Sequence, residues 1–226
     1  MDRASPELVT AYGENSPFAE AYRVLQFKLF PRNGARLRSL GVTGVAPNHG
    51  STTTAANLGL IVAESGIRVI LVDADLHKPS LHRHFELSND VGLSTVLRGE
   101  ISLDRALQGV KEPSTLQVLA AGPAVSNPAA LLQSEVIGTI FDSLRESSHI
   151  LIVDMPSVGA VAYTSFLASF LDGLLLVVRA GTSPVSADRI VKDRLQGVNV
   201  IGMVLNQVPV NGSEISSHRH YARSGG

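Results

Sequence analysis

The 226-residue sequence contains no cysteine. That excludes disulfide staples and thiolate metal centres, and it agrees with a reducing compartment. Net charge is also scarce. The 19 Lys and Arg residues nearly balance 20 Asp and Glu, leaving −1, too weak a field to attract nucleic acid or an anionic membrane surface. No apolar run reaches the roughly 18 residues of a membrane span. The opening MDRASPE lacks the apolar stretch of a secretory leader. The expectation is a cytoplasmic chain, or a soluble piece of a larger protein. Hydrophobic residues, by contrast, make up 44% of the chain, enough for a sizeable core, and one α/β domain of this length is ordinary.

Residues 1–15 are polar and expected to be loose. SPFAEAYRVLQFKLF reads as a helix capped by Ser16, with Pro17 at its first position. Phe18, Ala21, Tyr22, Leu25 and Leu29 fall at helical spacing on one face. RSLGVTGV, RVILVD, LQVLAAG, HILIVD, GLLLVVRAG and VNVIGMVLN read as six strands. Between them lie helical stretches, including one closed by Gly66, one from Pro128 through about Leu144, and two at 164–171 and 184–195. Strands that are apolar throughout are buried on both faces, and strands alternating with helices make a parallel sheet covered on both sides. The fold class expected is a doubly wound, mainly parallel α/β domain over residues 16–210, followed by a polar, flexible tail at 211–226.

In such sheets ligands gather at the carboxyl ends of strands. Three strand ends stand out. The first feeds Pro47, Asn48, His49, Gly50, Ser51, Thr52 and Thr53 into a helix, where backbone N–H groups and the positive dipole end suit phosphate. Gly50 lets the backbone come close, and Thr52 stands where a loop hydroxyl would meet Mg²⁺. The second strand ends in Asp73 and Asp75, the fourth in Asp154. Carboxylates there can hold the ion or its waters. A phosphate loop of the form GxxxxGK[ST] needs a lysine after its last glycine, and that position is Ser51. Lys78, Arg179 and His49 are the candidate substitute cations. His82/His84 and His218/His220 are spaced i,i+2 and do not share a helix face, which argues against a histidine metal site.

FAEAYRVLQFKL, PNHGSTTTAANL, VILVDADLHKPSLHRHFEL, GLSTVLRGE, LQVLAAGP, NPAALLQS, LIVDMPS and GLLLVVRAG with VNVIGMVLNQV, taken in order, resemble the bacterial tyrosine kinase family. These are cytoplasmic P-loop domains of capsule and exopolysaccharide export, related to partition and division-site ATPases. The resemblance implies a P-loop NTPase fold, ATP or ADP with Mg²⁺, and catalytic roles for Asp73, Asp75 and Asp154. It implies nucleotide contacts from residues 47–53 and Asn206, and metal contacts from Thr52, Asp73 and Asp154. It also implies oligomer contacts through Glu20 and Arg23, and a phospho-acceptor at Tyr221.

The sequence departs from that family's pattern at charged and glycine positions. Asn48 replaces a loop glycine and Ser51 the lysine. His77 stands for an arginine, Ser157 for a proline, Tyr163 for an aspartate, Gln207 for an arginine, and Gln26 for the third residue of an ExxRxxR ring motif. Of the terminal tyrosine cluster only Tyr221 remains. A fold kept while active-site charge is lost is the pattern of a pseudokinase. The expectation is a regulatory protein with weak or no ATP binding, working as a monomer or small oligomer at the inner face of the membrane. Its expected partners are a membrane-anchored polysaccharide chain-length regulator and an active paralogue, with no nucleic acid. An active autokinase with a substitute cation and a partition-type ATPase are the alternatives.

Overall fold

The computed structural model describes residues 8–13, 16–31, 37–132 and 136–209. Tyr221, His218, His220 and the rest of the 211–226 tail lie outside the described residues, as does most of the 1–15 segment.

Seven strands form one sheet: β1 Ser39–Gly44, β2 Val69–Asp73, β3 Leu107–Gly109, β4 Leu116–Leu119, β5 Ile150–Met155, β6 Gly173–Arg179 and β7 Val200–Asn206. Their order is β3-β4-β2-β5-β1-β6-β7. Every pairing is parallel except β3 with β4. The helices are α1 Pro17–Leu29, α2 Ser51–Glu64, α3 Leu81–His84, α4 Leu93–Leu97, α5 Leu103–Ala106, α6 Pro128–Leu132, α7 Val136–Ser147, α8 Tyr163–Ala168 and α9 Pro184–Arg194. One face of the sheet packs Leu40, Val42, Leu71 and Ile152 under α1, α2 and α3. The other packs Ile70, Val72, Leu151 and Val153 under α4 to α9. This is the doubly wound, mainly parallel architecture read from the sequence.

β1, β2, β5 and the first six residues of β6 are buried throughout, which is why they carry no polar alternation. β7 departs from that reading. It is an edge strand, and Ile201, Met203 and Leu205 are exposed despite being apolar. β3 was not anticipated: three residues are too few to show a period. The helix expected from Pro128 to about Leu144 is two described pieces, α6 and α7.

At α1, Ser16 caps the helix as expected, its Oγ accepting from Ala19 N–H at 3.1 Å. Its buried face is shifted from the reading, however. Ala19, Tyr22, Leu25 and Leu29 face the core, while Phe18 and Ala21 are exposed. Residues 8–13, expected to be loose, contribute a 3₁₀ turn at Val9–Tyr12. Leu8 and Val9 are buried, and Val9 N–H donates to Asn57 Oδ1 on α2 at 2.7 Å.

Two phenylalanines separate core from surface. Phe141 on α7 is fully buried and Phe27 on α1 is 67% exposed. Phe141→Ala should cost about 3–5 kcal/mol in urea unfolding, and Phe27→Ala within about 0.5 kcal/mol. Equal effects would mean that the face under α7 is not a closed core.

Candidate nucleotide and magnesium site

The sheet order explains why distant sequence segments meet. β5 is inserted between β1 and β2, so three carboxyl ends lie side by side. Asp73 on β2 stands level with Asp154 on β5, and Val42 on β1 pairs with Asp154 across the other side. The loop leaving β1 therefore starts beside both carboxylates.

That loop, Val45–Gly50, turns through two left-handed residues, Asn48 at φ 62° and Gly50 at φ 88°. Asn tolerates this region better than other side-chain-bearing residues, so a lost glycine at position 48 does not by itself destroy the turn. Gly50 has no such latitude. A Cβ there would lie 2.1 Å from Asn206 Nδ2. His49 is buried, with Nδ1 accepting from Arg179 N–H at 3.3 Å. Asn206 Nδ2 donates to His49 O at 3.0 Å, and Gln207 Nε2 reaches Asn48 O at 3.5 Å. The side chains of Asn206 and Gln207 thus brace the loop backbone, a role the sequence did not reveal. α2 starts at Ser51 with its N-terminal amides at the loop.

The carboxylates differ in how they are satisfied. Asp73 Oδ2 accepts from Ser80 and Leu81 N–H at 3.0 Å each, and Oδ1 from Asp75 N–H at 3.1 Å. It anchors the start of α3. Asp154 receives the Thr52 hydroxyl, and its buried Oδ1 has no partner among the described residues. Ser80 Oγ donates to Thr52 Oγ1 at 3.4 Å, adding a serine that sequence reasoning missed. Asp75 Oδ1 accepts from His77 and Lys78 N–H at 3.2 and 2.9 Å. The Tyr163 hydroxyl, at the head of α8, is buried without a partner among the described residues.

Burial sets the electrostatics. Desolvation pushes Asp73 up to about 7, against the pull of its three backbone N–H bonds. It also holds Asp154 well above the usual carboxylate range, with the Asp73 charge adding to the effect. Burial raises Tyr163 too, with Asp75 and Asp73 contributing. Mg²⁺ takes oxygen ligands, and an orphaned carboxylate oxygen beside a threonine hydroxyl fits it. Thr52 and Asp154 would hold the ion, with Asp73 more committed to the backbone. When bound, the ion supplies charge neutralisation between nucleotide phosphates.

The predicted site residues 47–53, 73, 75, 154 and 206 all gather around this corner. Lys78 and Arg179 are exposed, and among the described residues neither side chain hydrogen-bonds the loop. Glu20 and Arg23 lie elsewhere, on α1, as an exposed pair 3.4 Å apart, worth about 0–1 kcal/mol. Gln26, the third position of the ring motif, points inward, with Nε2 donating to Ser65 Oγ at 2.8 Å.

No family model matches the chain. Individual proteins do. The tyrosine-protein kinase YwqD of Bacillus subtilis is 33% identical over 210 residues, covering 92% of this chain and 86% of the relative. The crystal structure of the chimerical protein CapA2B2 superposes with a TM-score of 0.85 at 27% identity, covering 91% of this chain and 92% of that one. The kinase domain of the Escherichia coli tyrosine kinase ETK gives 0.81 at 25% identity, covering 93% and 85%. The chain spans only 25% to 29% of several longer tyrosine-protein kinases. MinD of Pyrococcus horikoshii, complexed with Mg-ADP, gives 0.63 at 18% identity over 80% of this chain and 76% of its own, a likeness of fold alone.

The raised carboxylates make stability fall as pH rises. The native state keeps protons that the unfolded chain releases above about pH 4, so their contribution is complete below that pH. It is lost as pH passes the folded values, about 7 for Asp73. In EDTA, unfolding free energy should drop by a few kcal/mol, as an order of magnitude, between about pH 5 and 8. Asp154→Asn should flatten the drop, and Mg²⁺ should recover stability at pH 8. A profile that is flat without metal would show that these carboxylates are solvated.

Proposed function

The chain belongs to the family of bacterial tyrosine-protein kinases of capsule and exopolysaccharide loci, and from that premise we propose that it is a regulatory member with weakened nucleotide binding. The observation that carries this reading is Ser51 at the first position of α2. The site keeps its acidic half, Asp73, Asp75 and Asp154, and lacks the lysine that would answer a nucleotide's β- and γ-phosphates.

A hydrogen bond to a charged group contributes roughly 1.5–3 kcal/mol. Without the lysine, ground-state affinity falls roughly ten- to a hundredfold. Loop amides, the α2 dipole, Thr52 and Mg²⁺ remain for a weak complex. Transfer suffers more, because phosphoryl transfer depends on positioning and charge stabilisation. The departures at His77 and Tyr163 remove further charge. In this reading the protein works by docking, on a membrane-anchored chain-length regulator and on an active paralogue at the inner face of the membrane.

The second reading is an autokinase that uses a substitute cation to modify Tyr221. It draws on the retained Asp154 Oδ1 and on Lys78, whose backbone is held by Asp75.

Calorimetry should give Mg²⁺–ATP binding at least tenfold tighter for Ser51→Lys than for the parent. Mass spectrometry after incubation with Mg²⁺–ATP should find little or no phosphate on Tyr221. Robust phosphorylation in the parent, absent in Asp154→Asn, would overturn the regulatory reading. Equal affinity of parent and Ser51→Lys would remove the loop as the phosphate site.

A further inference from the structure

Beside the nucleotide corner, and separate from its loop, lies a pocket of about 430 Å³. Its wall carries His77, Lys78, Ser80, His82, Arg83 and Asn89, and no carboxylate. Lys78 and Arg83 are exposed, and neither forms an ion pair with a described residue. Of the carboxylates flanking the wall in sequence, Asp75 turns one oxygen to the backbone N–H groups of His77 and Lys78, and Asp90 accepts the Ser88 hydroxyl at 2.7 Å.

Two further features mark the pocket as built. His82 lines the wall, and its Nδ1 is buried with no partner among the described residues. The floor is fixed: Asn89 donates from Nδ2 to Gly122 O at 2.7 Å and accepts Gly122 N–H at Oδ1 at 2.9 Å. The local field is positive as well. Besides burial, the charges of Arg83 and His84 hold the His82 pKa down.

We propose that this pocket binds a phosphomonoester dianion, with Lys78 and Arg83 as its counter-charges and the His82 ring as part of its wall. Two full cations match a divalent phosphate better than a carboxylate. The volume exceeds that of a bare ion and leaves room for the body of the ester. An extended polyanion would need a basic track, and the chain's net charge of −1 offers none. Ser80 forms the shared wall: its hydroxyl bonds Thr52 and its N–H bonds Asp73. An occupant of the pocket therefore touches the residue that ties α3 to the magnesium corner. The site stands whether or not the loop binds nucleotide.

The test is a titration with inorganic phosphate, phenyl phosphate and a short phosphotyrosine peptide, followed by amide chemical shifts. The comparison is between the parent, Lys78→Gln/Arg83→Gln and Ser51→Glu. Both pocket cations are exposed, so their replacement should leave folding intact. Shifts should centre on residues 77–83 and 89. The double variant should bind roughly tenfold more weakly or worse, while Ser51→Glu, which repels phosphate from the loop, should bind like the parent. Tighter binding of phenyl phosphate than of inorganic phosphate identifies an aryl ester as the source; equal binding identifies free phosphate. The proposal is overturned if shifts centre on residues 48–53 and vanish in Ser51→Glu. It is also overturned if the double variant binds as the parent does, or if none of the three probes binds. Calorimetry with Mg²⁺–ATP reads the loop separately, so failure of the pocket and failure of the regulatory reading are distinguishable.

Discussion

Two carboxylates, Asp73 and Asp154, stand level on adjacent parallel strands in the interior of the molecule. Like charges at that separation cannot both ionise cheaply without a cation between them. Much of the surrounding architecture manages this constraint. Three backbone N–H groups converge on Asp73, a threonine hydroxyl covers part of Asp154, and one oxygen is left open. The open oxygen is the most informative atom in the site. A buried acceptor without a partner is costly, and a fold keeps one where a ligand repays it.

The same constraint explains why the two halves of the site have separable fates. The acidic half is welded into the sheet: moving Asp73 would release the head of α3, and moving Asp154 would disturb the central strand. The basic half hangs on one side chain at the start of α2. Replacing it with serine costs the fold almost nothing, because the loop is held by its own backbone and by Asn206. Charge for binding phosphate can therefore be lost by substitution while the acidic corner persists for structural reasons. Retained aspartates alone are then weak evidence of retained transfer.

Much of the fold was legible because burial on both faces leaves a plain mark. RVILVD and HILIVD have no polar alternation to misread, and their terminal aspartates fall level on adjacent strands. β7 carries the same apolar composition, but sequence cannot tell an edge from a centre, so its exposure was missed. The α1 face was misplaced because Phe18 and Ala21 satisfy helical spacing as well as Ala19 does; only the position of α2 decides between them. Ser80 and the bracing role of Asn206 were illegible for a different reason. Each acts on a segment far away in the chain, Asn206 across 157 residues, and only strand order brings them there. The basic pocket was hidden likewise, because Lys78 and Arg83 look like solvated lysine and arginine until the wall containing Asn89 closes beside them.

Asn206 ends β7, and β7 is the strand with the least cover. The clamp on the Val45–Gly50 loop is therefore anchored to an edge of the sheet, and edge elements with exposed contacts sit at the low end of local stability. This gives the loop a mechanical handle remote from its own sequence. Whatever steadies that border of the sheet stiffens the turn at His49, and whatever peels it away slackens the turn, with no contact made at the loop itself.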